Sequence, residues 1–266
     1  MNPHASRLPG ALARAAAAAR AGSLVGTALG AATATSTAAA DESLLSTTGT
    51  TWRYLDDNTN PAGSAADQRV WTTTAFDDSA WKSATGAFGA KRGAATGIGA
   101  AFPITTLLTQ YVEGTTTDVP TFFFRTDVEL TAADLDGVPA FEGEIVYDDA
   151  AIVYVNGEEV VRLGDDDRKI TENLQYHGNG RTDPVTGTFV VPADAFEPGE
   201  NTISVALYQD APTSSDIYLD VRSLVPTHGE VRDVALRDGH VGGRVLRAVR
   251  RRRAERGALR GGGRPG

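Results

Sequence analysis

The sequence predicts an all-β, antiparallel sandwich of the jelly-roll kind. Three features carry that expectation: apolar side chains that alternate with a period of two in several short segments, an Asn-Gly turn between two of them, and a complete lack of cysteine. A period of two is what a strand shows when one sheet face is buried. Without disulfides, a chain of this length must hold itself together by burial, which favours one sheet-on-sheet body over several small modules.

Taken in order, the first strands are expected at Thr51 to Leu55 and Arg69 to Thr73. Phe122, Phe124, Thr126, Val128 and Leu130 then alternate with Phe123, Arg125, Asp127 and Glu129. Thr131 to Leu135 can form a single helical turn, with Thr131 as its cap. Phe141 to Tyr147 reads as a further strand. Ile152 to Val155 and Glu158 to Leu163 flank Asn156-Gly157, a pair that tolerates positive φ at both central positions of a type I′ hairpin turn. Gly187 to Val191 follows, and the alternation returns at Ile203, Val205 and Leu207 and again at Ile217, Leu219 and Val221. Nothing resembles a βαβ unit, so nucleotide-binding α/β folds are set aside.

The two ends read differently from the middle. Residues 1–40 carry Arg7, Arg14 and Arg20, no acidic residue, a short apolar run around Leu24 to Leu29, and the small residues Ala38-Ala39-Ala40. That layout is a signal peptide cleaved before Asp41, so the product is expected to be secreted. The apolar run is too short to span a bilayer of ~30 Å, and no other stretch is apolar enough to be a membrane span. Residues 227–266 hold eleven Arg, no Lys and four acidic side chains, a net of +7. This Arg/Gly-rich tail is expected to be disordered. It reads either as a basic arm for anionic polymers or for the acidic body, or as low-information sequence from a truncated or frame-shifted reading frame. The body, 41–226, keeps eleven basic and thirty acidic side chains, a net of −19, and would repel nucleic acid phosphates.

The body carries a set of local motifs in fixed order. They are Trp52-Arg53-Tyr54, Phe76-Asp77-Asp78-Ser79-Ala80-Trp81-Lys82 followed by Gly86-Ala87-Phe88-Gly89, Thr121 to Arg125, Tyr147-Asp148-Asp149 running on to Val160, Gly199-Glu200-Asn201 and Ser214-Ser215-Asp216. Through them the segment from Trp52 to Leu224 resembles the galactose-binding-like jelly-roll domains that precede the catalytic domain in secreted actinobacterial metallophosphoesterases, including purple-acid-phosphatase-like enzymes. Tyr208-Gln209 stands where such domains often have His before Gln. The resemblance implies an accessory domain that docks or targets a metallophosphoesterase-type catalytic domain and binds carbohydrate weakly. The alternatives are a truncated member of the phosphatase family and a purely structural extracellular domain.

The resemblance also implies where a sugar would bind, since loops at one end of such a sandwich carry the contacts. An aromatic ring stacks on the sugar face while Asp, Asn or Gln fixes its hydroxyls. The candidates are Asp149, Asn156, Gln209 and Asp216, with Tyr176 or Tyr208 as the platform. Each has a plainer reading: Asn156 belongs to its turn, Asp216 caps a strand entry after Ser214-Ser215, and Asp149 belongs with Asp148 to a turn of their own. Trp52, Trp71 and Trp81 are expected to pack in or at the rim of the core. Asp165-Asp166-Asp167 is the densest acidic cluster and the candidate for a structural calcium ion, although it lacks the spacing of an EF-hand loop and suits a solvated turn. No cofactor is required.

No catalytic residues are expected. A two-metal phosphoesterase needs several Asp and His ligands in set motifs, and only His177 of the four histidines lies in the body. Asp238-Gly239-His240 and Gly164-Asp165-Asp166-Asp167 echo two of those motifs in the wrong order.

Overall fold

The structure, a computed structural model, describes residues 42–164, 168–180 and 182–228. The leader, the Arg-rich tail beyond His228 and the candidate calcium ligands Asp165, Asp166 and Asp167 lie outside the described residues.

Eleven strands and one short helix make up the described body. They are β1 (Thr51–Leu55), β2 (Lys82–Thr85), β3 (Phe88–Lys91), β4 (Thr106–Leu107), β5 (Thr121–Leu130), α1 (Ala132–Leu135), β6 (Ala140–Asp148), β7 (Ala150–Val155), β8 (Glu158–Leu163), β9 (Val185–Pro192), β10 (Gly199–Tyr208) and β11 (Asp216–Pro226). One sheet has the order β2-β1-β5-β10-β7-β8 and the other β4-β3-β11-β6-β9. Among the described residues only the β3–β4 pairing is parallel. The expected β-sandwich is the observed fold.

The alternation places the core. Phe122, Phe124, Val153, Val155, Ile203, Val205 and Leu207 of the first sheet meet Ile145, Tyr147, Phe189, Ile217 and Leu219 of the second in one buried cluster. At ~25 cal/mol per Å² of apolar surface removed from water, each such side chain contributes on the order of 2 kcal/mol. Asn156 and Gly157 both have positive φ, 49° and 88°, and Val155 pairs with Glu158 across them, as the hairpin motif requires. Thr131 caps α1 through a reciprocal capping box with Asp134.

The strand expected at Arg69 to Thr73 is instead a 3-10 turn, Val70–Thr72. The reason lies in what covers the outer face of the first sheet. Phe123, Ile152, Tyr154, Ala206 and Tyr208 are buried on that face beneath Trp71, with Phe76 and Trp81 packed beside them. Trp71 therefore meets a sheet face rather than a neighbouring strand, and its segment needs no ladder hydrogen bonds. Arg125, on the same outer face of β5, ties this cover down. Its Nε donates to Asp78 Oδ2 at 2.7 Å, and its Nη1 donates to the carbonyls of Trp71 and, at 3.0 Å, Thr73.

Arg125 is 2% exposed, so removing its charge strands a partly buried carboxylate and two carbonyls. Arg125→Met is expected to cost about 3–5 kcal/mol in urea unfolding, whereas Arg125→Lys keeps the charge, loses the fork and costs less.

Candidate functional site

The loop end of the sandwich, where β5 begins and β10 ends, gathers polar side chains from several separate segments. Asp118 comes from the approach to β5, Asp148 and Asp149 from the β6–β7 junction, Tyr176 and His177 from the β8–β9 connection, and Gln209, Asp210 and Ser214 from the β10–β11 connection. Lys91 and Asp216 face each other across β3 and β11.

Backbone and side-chain hydrogen bonds stitch these segments together. The Asp149 N–H donates to the Tyr208 carbonyl at 3.0 Å, and Asp149 Oδ2 accepts from the Asp210 N–H at 3.0 Å and from Ser214 Oγ at 3.5 Å. The His177 N–H donates to the Gln209 carbonyl at 2.8 Å, and the Gln209 N–H to the Pro120 carbonyl at 3.0 Å. Tyr176 donates its hydroxyl to the Asp118 carbonyl at 2.6 Å. Asp118 Oδ1 accepts from Gln110 Nε2 at 2.9 Å. Gly178 lets the β8–β9 connection pass over this knot: its φ is 137°, and a Cβ there would sit 2.9 Å from Asp149 Cβ.

Electrostatics is lopsided. Asp118, Asp148, Asp149 and Asp216 are all buried, and Lys91 Nζ, 3.2 Å from Asp216 Oδ2, is the cation that offsets them in part. Burial, reinforced by Asp149 and Asp216, pushes the Asp148 carboxyl up to about 9 against the pull of Lys91. Burial first, then Asp149 and Asp210, raises Asp118 to about 6, although Gln110 works the other way. Burial beside two other carboxylates thus favours the neutral form of Asp148 at pH 7, and neither of its oxygens has a hydrogen-bond partner among the described residues. Among the described residues, Asp118 Oδ2 and both amide atoms of Gln209 have no hydrogen-bond partner.

Four of the six sequence candidates, Asp149, Gln209, Asp216 and Tyr176, come together here, and Tyr208 reaches this end by its backbone alone. Tyr208 points away from the rest, into the aromatic cover on the outer sheet face, where its ring meets His177 edge-on at 5.5 Å. Asn156 lies at the opposite end, donating to the Ala195 carbonyl at 3.1 Å and to Asn201 Oδ1 at 2.8 Å. Sequence reasoning missed Asp118, Asp210, Tyr111 and the Asp216–Lys91 pairing, none of which has a local motif. Tyr111 and Tyr176 are half-buried rings at the rim of this end, and Tyr111 pairs with Asp118 through an isolated bridge. Among the described residues, no three His, Cys, Asp or Glu side chains are arranged to hold a metal ion. No helix among them is long and apolar enough to cross a membrane.

The class defined by this fold and this end is a two-sheet β-sandwich with a polar, carboxylate-rich loop end. No family model matches the chain, and no curated protein matches it. Solved structures similar to it include a calcium-binding mutant of β-glucuronidase 2 from Bacteroides uniformis, 15% identical with a TM-score of 0.34 over 65% of this chain. A glycosyl hydrolase family 2 member from Bacteroides cellulosilyticus is 14% identical with a TM-score of 0.37 over 68%. The β-glucuronidase of Bifidobacterium dentium complexed with coumarin-3-O-glucuronide is 12% identical with a TM-score of 0.31 over 59%. The matches cover 17%, 20% and 19% of those chains, so this chain corresponds to a small part of each. Likeness at this level assigns no function.

The raised carboxyls fix the sign of a pH effect. The folded state holds protons on Asp118 and Asp148 that the unfolded chain releases near 3.8. Their contribution is therefore most favourable below that value and is lost as pH rises through the folded values. Asp77 and Asp134, which are lowered by hydrogen bonds from Ser79 and Thr131, act in the opposite direction only at more acidic pH. Tm is expected to fall by several degrees between about pH 5 and 8, and Asp148→Asn is expected to raise Tm at the upper end and flatten the slope. Thermal scans across that range check it.

Proposed function

We propose that this chain is an exported, non-catalytic accessory domain that binds a neutral carbohydrate at its loop end and so places a catalytic partner against its substrate. The observation that carries the reading is the convergence at one sandwich end of two half-buried rim tyrosines, Tyr111 and Tyr176, with the partly exposed Asp210 and Ser214 of the β10–β11 connection. Rings of this kind stack on the apolar face of a sugar, and the partly exposed Asp210 and Ser214 are placed to bond its hydroxyls, while the buried aspartates beneath hold their loops in place. Loops held on rigid strands are the usual place for such contacts.

Charge narrows the ligand. At this end the aspartates outnumber the described cations Lys91 and Arg168, which disfavours anionic polymers, so neutral sugars fit better than uronates or nucleic acids. The leader layout of residues 1–40 supports export. The block from Tyr147 to Val160, where the sequence resembles the domains ahead of secreted metallophosphoesterases, supports a catalytic domain of that type as the partner.

Retention of the full chain on insoluble neutral polysaccharides tests the reading. Tyr176→Ala and Asp210→Asn are each expected to weaken retention about tenfold, Tyr176→Ala with a lower Tm because its hydroxyl bonds the Asp118 carbonyl and Asp210→Asn with Tm unchanged, while Glu158→Ala at the opposite end leaves retention unchanged. Equal retention of all four proteins would contradict the assigned site. Turnover of an aryl phosphate with added divalent metal would contradict the non-catalytic reading.

A further inference from the structure

The end of the sandwich opposite the loop cluster carries a cleft of about 640 Å³ between α1 and the 3-10 turn Ala193–Ala195. Leu135, Val138, Pro139 and Phe196 form its apolar walls, and Asp136, Asp194 and Glu197 line it as well. All three carboxylates belong to exposed residues, and no basic residue lines the cleft among the described residues.

The chain leaves the described body beside this cleft. Pro226, the last residue of β11, pairs with Phe141, and the Thr227 N–H donates to the Ala140 carbonyl at 2.9 Å. Ala140 directly follows the cleft residues Val138 and Pro139, and the Ala193 N–H donates to the Pro139 carbonyl at 3.1 Å. What continues from Thr227 is the segment with eleven Arg and a net of +7, facing a body of −19. Arg232 lies five residues on, and an extended chain covers ~3.3–3.6 Å per residue, so even the first arginine of the segment reaches the cleft. Arg250 to Arg253 have ample slack.

We propose that the acidic cleft between α1 and the Ala193–Ala195 turn is a docking site for this chain's own Arg-rich segment, residues 229–266. Guanidinium forks match carboxylates in a bidentate manner, and arginine stems cover apolar walls such as Leu135 and Phe196. Tethering makes the contact intramolecular, with an effective concentration on the order of millimolar, so individually weak pairs suffice. The docked segment masks positive charge that an anionic polymer would otherwise attract.

The chain contains no cysteine, so Ala248→Cys gives a single attachment point for a nitroxide label. Paramagnetic broadening of backbone amide signals in the full chain at low salt then reads the contact without any added ligand. Loss of signal concentrated at residues 135–139 and 193–197 is the expected result. It is expected to disappear in the Asp136→Asn, Asp194→Asn, Glu197→Gln triple variant, whose changes are on exposed residues, and in about 0.5 M salt, where screening shortens to ~4 Å. Three outcomes overturn the proposal: no broadening at the cleft, broadening that survives the triple variant, or broadening that arises only between a labelled chain and a separate isotope-labelled chain. A failure here leaves the carbohydrate reading of the opposite end untouched.

Discussion

Placing charge where water does not reach is costly, and the loop end of this sandwich is organised by that cost. A lone buried carboxylate either finds a cation, collects hydrogen bonds or keeps its proton. All three solutions occur close to one another in this fold. Asp216 has Lys91; Asp149 accepts from the Asp210 N–H and from Ser214; Asp148 keeps its proton. Arg125 follows the same rule with the opposite charge, since its guanidinium is buried only because Asp78 and backbone carbonyls surround it. One arrangement holds loops to each other and the other holds a covering segment to a sheet.

Much of the fold was legible because strand alternation is a local signal. The segments around Phe122 to Leu130, Ile203 to Leu207 and Ile217 to Val221 each write their buried face into the sequence, and Asn156-Gly157 fixes one hairpin register. The short strands β2, β3 and β4 escaped because Lys82 to Thr85, Phe88 to Lys91 and Thr106-Leu107 are too brief and too rich in small residues to show a period. Arg69 to Thr73 misled for a different reason: Trp71 and its neighbours look like a half-buried strand, yet their burial comes from lying flat on an outer sheet face.

The candidate site was legible only in part, and distance along the chain explains why. Asp149, Gln209 and Asp216 stood out through the motifs in which they lie. Asp118 did not, because its surroundings are assembled from Gln110, Asp149, Asp210 and Ser214, up to about a hundred residues away. Asn156 was drawn toward the same site by its chemistry, whereas its hydrogen bonds to Ala195 and Asn201 place it with the far end. The two ends of the body thus have separate characters: one buries its carboxylates, the other displays them beside the point where a strongly basic segment leaves.

The organisation of the loop end depends most heavily on the protonation of the buried aspartates, and carbon-detected NMR titration of their carboxyl signals measures it directly. Asp148 is expected to stay protonated through neutrality and to titrate at about 9, with Asp118 following its own curve at about 6. Titration of both near 3.8, the ordinary aspartate value, would show that water reaches these groups, and the description of the loop end as a buried carboxylate knot would be wrong.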